Sequence, residues 1–101
     1  MTEINLIEEI KRISIPIARK YGVKKMALFG SYARGEHKNT SDIDFLIDKG
    51  EIRGFFRLAG FQRELEESFS VPVDVLTIGA LSDEFLERIR DEEIIIYERN
   101  P

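Results

Sequence analysis

Leu28-Phe29-Gly30-Ser31-Tyr32-Ala33-Arg34-Gly35 and, after a polar turn, Ser41-Asp42-Ile43-Asp44-Phe45-Leu46-Ile47-Asp48 decide how this chain of 101 residues folds. An apolar run that stops at Gly-Ser reads as a buried strand opening into a turn. An apolar run led by Asp-x-Asp reads as a second strand carrying two carboxylates. The two halves are expected to face the same place. Alternation along the second strand sends Asp42 and Asp44 to one face and Ile43 and Phe45 to the other, with the acidic α-carbons about 6.6–6.8 Å apart. Two carboxylates that converge to ~4 Å repel by roughly 4 kcal/mol at an effective dielectric of about 20, so a compensating cation is expected. Ligands that are all oxygen imply a hard ion. Magnesium fits best, because it binds through a few carboxylates together with substrate phosphates, and manganese is a usable substitute.

The same logic extends to both sides of this stretch. Val71–Ile78 reads as a third strand, with Pro72 at its start, where a missing N–H matters least. Within it Asp74 points away from Val73 and Val75 and adds a third carboxylate to the acidic face, enough for a two-ion site. The Gly30-Ser31 turn supplies a phosphate-binding half: glycine lets a phosphate approach the backbone, a helical turn from Ser31 offers unpaired N–H groups, and Ser31 adds a hydroxyl. Arg34 carries two readings, one with its guanidinium on the phosphates and one locking the loop through Glu36 or Asp42. Asp48 continues the alternation further along the strand and is read as structural or supporting. His37, the only histidine, is read as a solvated loop residue without a role.

Around this centre the chain alternates helices with strands. Ile4, Ile7, Ile10, Ile13, Ile17 and Tyr21 recur at helical spacing, with Gly22 as a left-handed stop. Pro16 predicts either a kink or a restart capped by Ser14. Met26–Phe29 is the first strand and Ile43–Ile47 the second. Phe55, Leu58, Phe61 or Gln62, Leu65 and Phe69 form another helical stripe, widened by Phe56 and Ala59, and the aromatic residues are expected in the core. Gly60 inside that stripe implies either a close neighbour or a locally weak helix. Ser82 caps a last helix to about Asp91, with Leu81, Phe85, Leu86 and Ile89 inward. Ile94–Tyr97 is either a fourth strand or an apolar tail. The fold class is therefore α/β (α+β): a small mixed sheet of three to four strands flanked by about four helices, expected as a single domain over residues 1–101.

Composition narrows the function. Fifteen Lys and Arg against nineteen Asp and Glu give a net charge of -4, the wrong sign for a chain that wraps nucleic acid, so no direct nucleic-acid binding is expected. No cysteine is present, which excludes thiolate metal sites and disulfides and makes the cytoplasm the expected compartment. Met1–Arg12 carries three glutamates and lacks the apolar stretch of a signal peptide, and no run reaches the length of a membrane span.

Gly30-Ser31, ten intervening residues, then Asp42-Ile43-Asp44 resemble the Gly-Ser…Asp-x-Asp signature of the polymerase-beta-like nucleotidyltransferase superfamily. Leu28–Glu36 and Val73–Thr77 are most similar to its minimal, or MNT, branch. The resemblance implies that Asp42 and Asp44 bind two magnesium ions carrying ATP, that Asp74 binds one ion and activates an acceptor hydroxyl, and that Gly30 and Ser31 hold the β- and γ-phosphates. It further implies a partner, since short MNT proteins pair with a HEPN-domain ribonuclease toxin and act as antitoxins that transfer AMP to one of its tyrosines. Ile94–Tyr97 and the first helix are expected in that interface. Two other functions compete: a catalytically idle module that silences a toxin by occlusion, and an enzyme acting on a small-molecule acceptor.

Overall fold

The structure is a computed structural model that describes residues 3–38 and 40–99. In chain order it comprises α1 (Glu3–Tyr21), β1 (Lys25–Phe29), α2 (Gly30–Arg34), β2 (Ile43–Asp48), α3 (Phe55–Phe69), β3 (Val73–Thr77), a 3-10 turn (Ile78–Ala80), α4 (Asp83–Arg90) and β4 (Ile94–Glu98). The four strands form one sheet in the order β3-β2-β1-β4. β1 runs antiparallel to β2 and β4, whereas β2 and β3 are parallel. A parallel pair needs a crossover, and α3 provides it.

Alternation along each strand divides the apolar residues between the two faces. Met26, Leu28, Ile43, Phe45, Ile47, Val73 and Ile96 meet α1 and α3 in the larger core, where Ile10, Ile17, Ala18, Phe61 and Leu65 are buried. Phe29 and Leu46 turn the other way and pack with Ile89, Phe85, Leu86 and the 3-10 turn. Because β1 ends where β2 and β3 begin, Phe29 stands opposite Asp44, and Asp44 stands beside Asp74. The turn after β1 and the heads of β2 and β3 thus share one edge of the sheet, as the sequence implied.

Local chemistry explains where the elements stop. Gly22 adopts φ +75, and the N–H groups of Gly22 and Val23 reach the carbonyls of Arg19 and Ala18 at 3.2 and 3.0 Å, closing α1. Ser82 caps α4 by accepting from the Phe85 N–H at 3.2 Å, with Asp83 and Glu84 in the positive first turn. Ile94–Tyr97 resolves as a strand rather than a tail, because its backbone pairs with β1.

Three expectations are corrected and two sets of alternatives are narrowed. α1 does not restart at Pro16: the ring faces water, and Ser14 is buried inside the helix rather than capping it. The inward set Ile10, Ile17 and Ala18 offsets the one lost backbone bond. The third strand is shorter than the apolar run, because Ile78 turns into the 3-10 segment. Phe55 and Phe56 are not core: they are 78% and 90% exposed and pack edge-to-face on each other at 6.0 Å. Their helical phase is right, but the first turn of α3 runs out past the packed face, which begins at Leu58. His37 is not fully solvated, since it stacks on Tyr32 with ring centroids 4.4 Å apart and its Nδ1 is buried. Gly60 lies under Tyr21, whose hydroxyl is 3.4 Å from where a β-carbon would sit, so it has a close neighbour rather than marking a weak helix.

Burial separates the aromatic residues of α3 into two energetic classes. Phe61→Ala is expected to lose about 3–5 kcal/mol in a urea titration, and Phe56→Ser less than about 0.5 kcal/mol.

Candidate active site

The head of β2 places the acidic residues by backbone register. Asp44 sits in the ladder between Phe29 of β1 and Asp74 of β3, and the inward partners Ile43 and Val73 are almost completely buried, so neither strand can turn over to relieve its carboxylate. Asp42 lies one residue before β2 and is exposed. The expectation that both leading carboxylates stand within the strand is therefore met only by Asp44. Asp42 is still near enough for its charge to act on Asp44.

Crowding has an electrostatic consequence. Burial first, then the facing charge of Asp74, the hydrogen-bonding reach between the two carboxyls and the charge of Asp42 raise the Asp44 carboxyl from 3.8 to about 6, with Arg34 pulling the other way. Two carboxylates and little positive charge at one point make an arrangement that favours a hard divalent cation, since every donor is oxygen. Among the described residues, however, no three acidic or histidine side chains are gathered as a complete ligand set. The chain itself assembles Asp44 and Asp74 and leaves Asp42 beside them.

Gly30 closes the other side. Its φ is +76, and a β-carbon there would collide with Asp44 Oδ2, so the turn needs glycine for both its backbone angle and its space. α2 follows at once, with Ser31 half-buried and Gly35 at φ +72 ending it. Arg34 follows the loop-locking reading in part. Its Nε donates to Glu36 Oε1 at 2.6 Å, while the other partner is Glu92, at 3.2 and 3.3 Å from Nη1, and not Asp42. Glu92 Oε1 also accepts from the Gly30 N–H at 3.4 Å. Sequence reasoning missed Glu92 because it lies 62 residues from Gly30, in an acidic run that reads as a solvated helix end. Asp48 stands at the far end of β2, opposite Lys25, and accepts from the Gly50 N–H at 3.4 Å, a structural role apart from the acidic pair.

A short mixed sheet with a Gly-Ser turn facing a pair of strand-borne carboxylates defines a nucleotidyltransferase class of fold. The sequence profile of the nucleotidyltransferase domain family matches residues 7–97, and the chain belongs to that family. It is 47% identical over 88 residues to "Putative protein adenylyltransferase MJ0435" of Methanocaldococcus jannaschii, covering 87% of this chain and 95% of that protein. It is 29% identical over 94 residues to "Protein adenylyltransferase MntA" of Thermococcus cleftensis, covering 89% and 95% of the two chains. Among solved structures it resembles a complex of tri-AMPylated Shewanella oneidensis HEPN toxin with MNT antitoxin, with a TM-score of 0.71 and 15% identity over 92% of this chain and 73% of that one. The protein is thus an enzyme of the nucleotidyltransferase domain family, with homologues named protein adenylyltransferase.

The raised pKa of Asp44 fixes the sign of a stability effect. Ionising Asp44 is harder folded than unfolded, so the stability of its neutral form is present below 3.8 and is lost as pH rises through about 6. Asp44→Asn in a metal-free buffer should therefore melt higher than wild type at about pH 8. Allowing for solvent screening, the gain should be on the order of 1 kcal/mol, or about 4–8 °C. The difference should vanish below about pH 4, and differential scanning calorimetry across that range checks it.

Proposed function

We propose that this protein is a magnesium-dependent adenylyltransferase that moves AMP from ATP to a hydroxyl, a tyrosine of a HEPN ribonuclease toxin, and so acts as the antitoxin of a toxin–antitoxin pair. The observation that carries the reading is the opposition of Asp44 and Asp74 at one end of the sheet, beside the glycine turn that abuts Asp44. The names of the relatives support protein as the acceptor class, and the AMPylated toxin of the structural neighbour supports a HEPN partner.

In this reading the Gly30 turn and the Ser31 hydroxyl bind the β- and γ-phosphates, and Arg34 steadies them from one turn further along. Asp42, Asp44 and Asp74 would hold two magnesium ions, or manganese in their place; the raised pKa of Asp44 reflects a crowding that such a cation would relieve. When bound, the ions supply charge compensation for the entering and leaving oxygens. Asp74, exposed at the edge strand, faces the acceptor and takes the proton from its hydroxyl. The acceptor oxygen then bonds to the α-phosphorus as the bond to the bridging oxygen breaks, and pyrophosphate departs with the electron pair.

Labelled ATP separates this chemistry from its nearest alternative. With magnesium and the toxin present, label on the α-phosphate should pass to the toxin and label on the γ-phosphate should leave in pyrophosphate, as read by autoradiography and thin-layer chromatography; γ-label on the protein would mean a kinase.

The double substitution Asp42→Asn with Asp44→Asn should lower transfer by at least about 100-fold while the chain stays folded, because it removes like charges from one edge. If that variant still neutralised the toxin in a growth assay as well as wild type, neutralisation would be by occlusion.

A further inference from the structure

Glu92 occupies the place that the proposed reaction gives to phosphate. Its carboxylate takes the Gly30 N–H at 3.4 Å and faces Arg34 Nη1 through both oxygens, at 3.2 and 3.3 Å. Turn N–H groups and a guanidinium donate to a phosphate oxygen as readily as to a carboxylate. One N–H serves one anion at a time. We infer that Glu92 is an internal stand-in for the nucleotide's phosphates, holding the Gly30 N–H and Arg34 until the triphosphate displaces it, and that it thereby sets the affinity for nucleotide. The inference rests on the nucleotidyl-transfer reading above and adds a positioning residue to it.

Three features favour a displaceable contact over a structural one. The Glu92 backbone is held without its side chain, since its N–H donates to the Ile89 carbonyl at 3.1 Å. The carboxylate lies at the surface, with 29% of the side chain exposed, so it can leave into water. Arg34 keeps a second anchor when Glu92 goes, because Nε stays on Glu36 at 2.6 Å and only Nη1 is released. The neighbouring Glu93 turns to Lys25 at 4.0 Å and does not compete for the turn. Asp44 borders Gly30 directly, so displacing Glu92 also lightens the negative charge that an incoming triphosphate meets.

The test compares magnesium-ATP binding by isothermal titration calorimetry, and KM for transfer, in wild type, Glu92→Gln, Glu92→Asp and Glu92→Gln with Arg34→Ala. Glu92→Gln is expected to tighten Kd and lower KM by about 3–10-fold, with a larger change in KM than in kcat. Glu92→Asp, which keeps the charge, should stay near wild type, and the gain should shrink when Arg34 is absent. Weaker or unchanged binding in Glu92→Gln would overturn the inference and make the residue a scaffold for Arg34. Should Glu92→Gln fold poorly, nuclear magnetic resonance of the wild-type protein with inorganic tripolyphosphate decides instead: the Gly30 amide and the Glu92 carboxyl carbon must shift together, and a Glu92 signal that stays put with tripolyphosphate bound overturns it. A wild-type protein that binds neither ATP nor tripolyphosphate would instead sink the nucleotidyl-transfer reading, and this inference with it.

Discussion

Asp44 and Asp74 face each other across a parallel ladder whose backbone bonds neither side chain can relax. Turning either residue outward would turn its neighbours too, exposing Ile43 and Phe45 on one strand or Val73 and Val75 on the other. Full burial of such a side chain is worth about 1.5–3 kcal/mol, so each strand's packing outweighs the repulsion of one carboxylate pair. The apolar core therefore holds the acidic pair in place. The sheet supplies the geometry, and the two strands could not keep their register without also keeping the charges together.

That division explains what was legible in the chain before folding was known. Period-two alternation around Asp44 and Asp74 is a local signal, and it placed both carboxylates on the face opposite the larger core. Gly22, Ser82 and the Gly30 turn were equally local, because capping and left-handed backbone depend on residues within a turn. Phe55 and Phe56 were misread because helical phase tells which way a side chain points but not whether the neighbouring element extends far enough to meet it. Of the two readings at Pro16, the restart does not occur, because tertiary packing on both sides of it outweighs a local preference.

Long-range pairing was the part that no pattern disclosed. Arg34 had two candidate partners within reach along the sequence, Glu36 and Asp42; one of them holds it, and the other place is taken by Glu92, 58 residues further along the chain. β4 brings Glu92 there. Its pairing with β1 returns the chain beside the Gly30 turn, so the segment read as either a fourth strand or an apolar tail also brings the acidic residue just before it to the site. Charge runs at helix ends look solvated in a sequence because their partners are set by topology rather than spacing.

Asp42 shows how a rigid pair and a looser third group can share one site. Its position just before β2 leaves it outside the ladder, and the preceding turn is held by the Lys38 N–H on Ser41 Oγ at 2.8 Å and the Ser41 N–H on the Lys38 carbonyl at 2.9 Å. Those bonds lie at the surface, where water competes with them, whereas the Ile43 N–H joins the Pro72 carbonyl at 3.0 Å inside the sheet. The backbone is therefore tied into the sheet from Ile43 onward, whereas Asp42 precedes the ladder. Three carboxylates all held as rigidly as Asp44 and Asp74 would add two further repulsions to the folded state, whereas an exposed Asp42 lets water screen its share. In the proposed reaction the sheet fixes the two carboxylates that define where chemistry occurs, and Asp42 adds its charge from beside them.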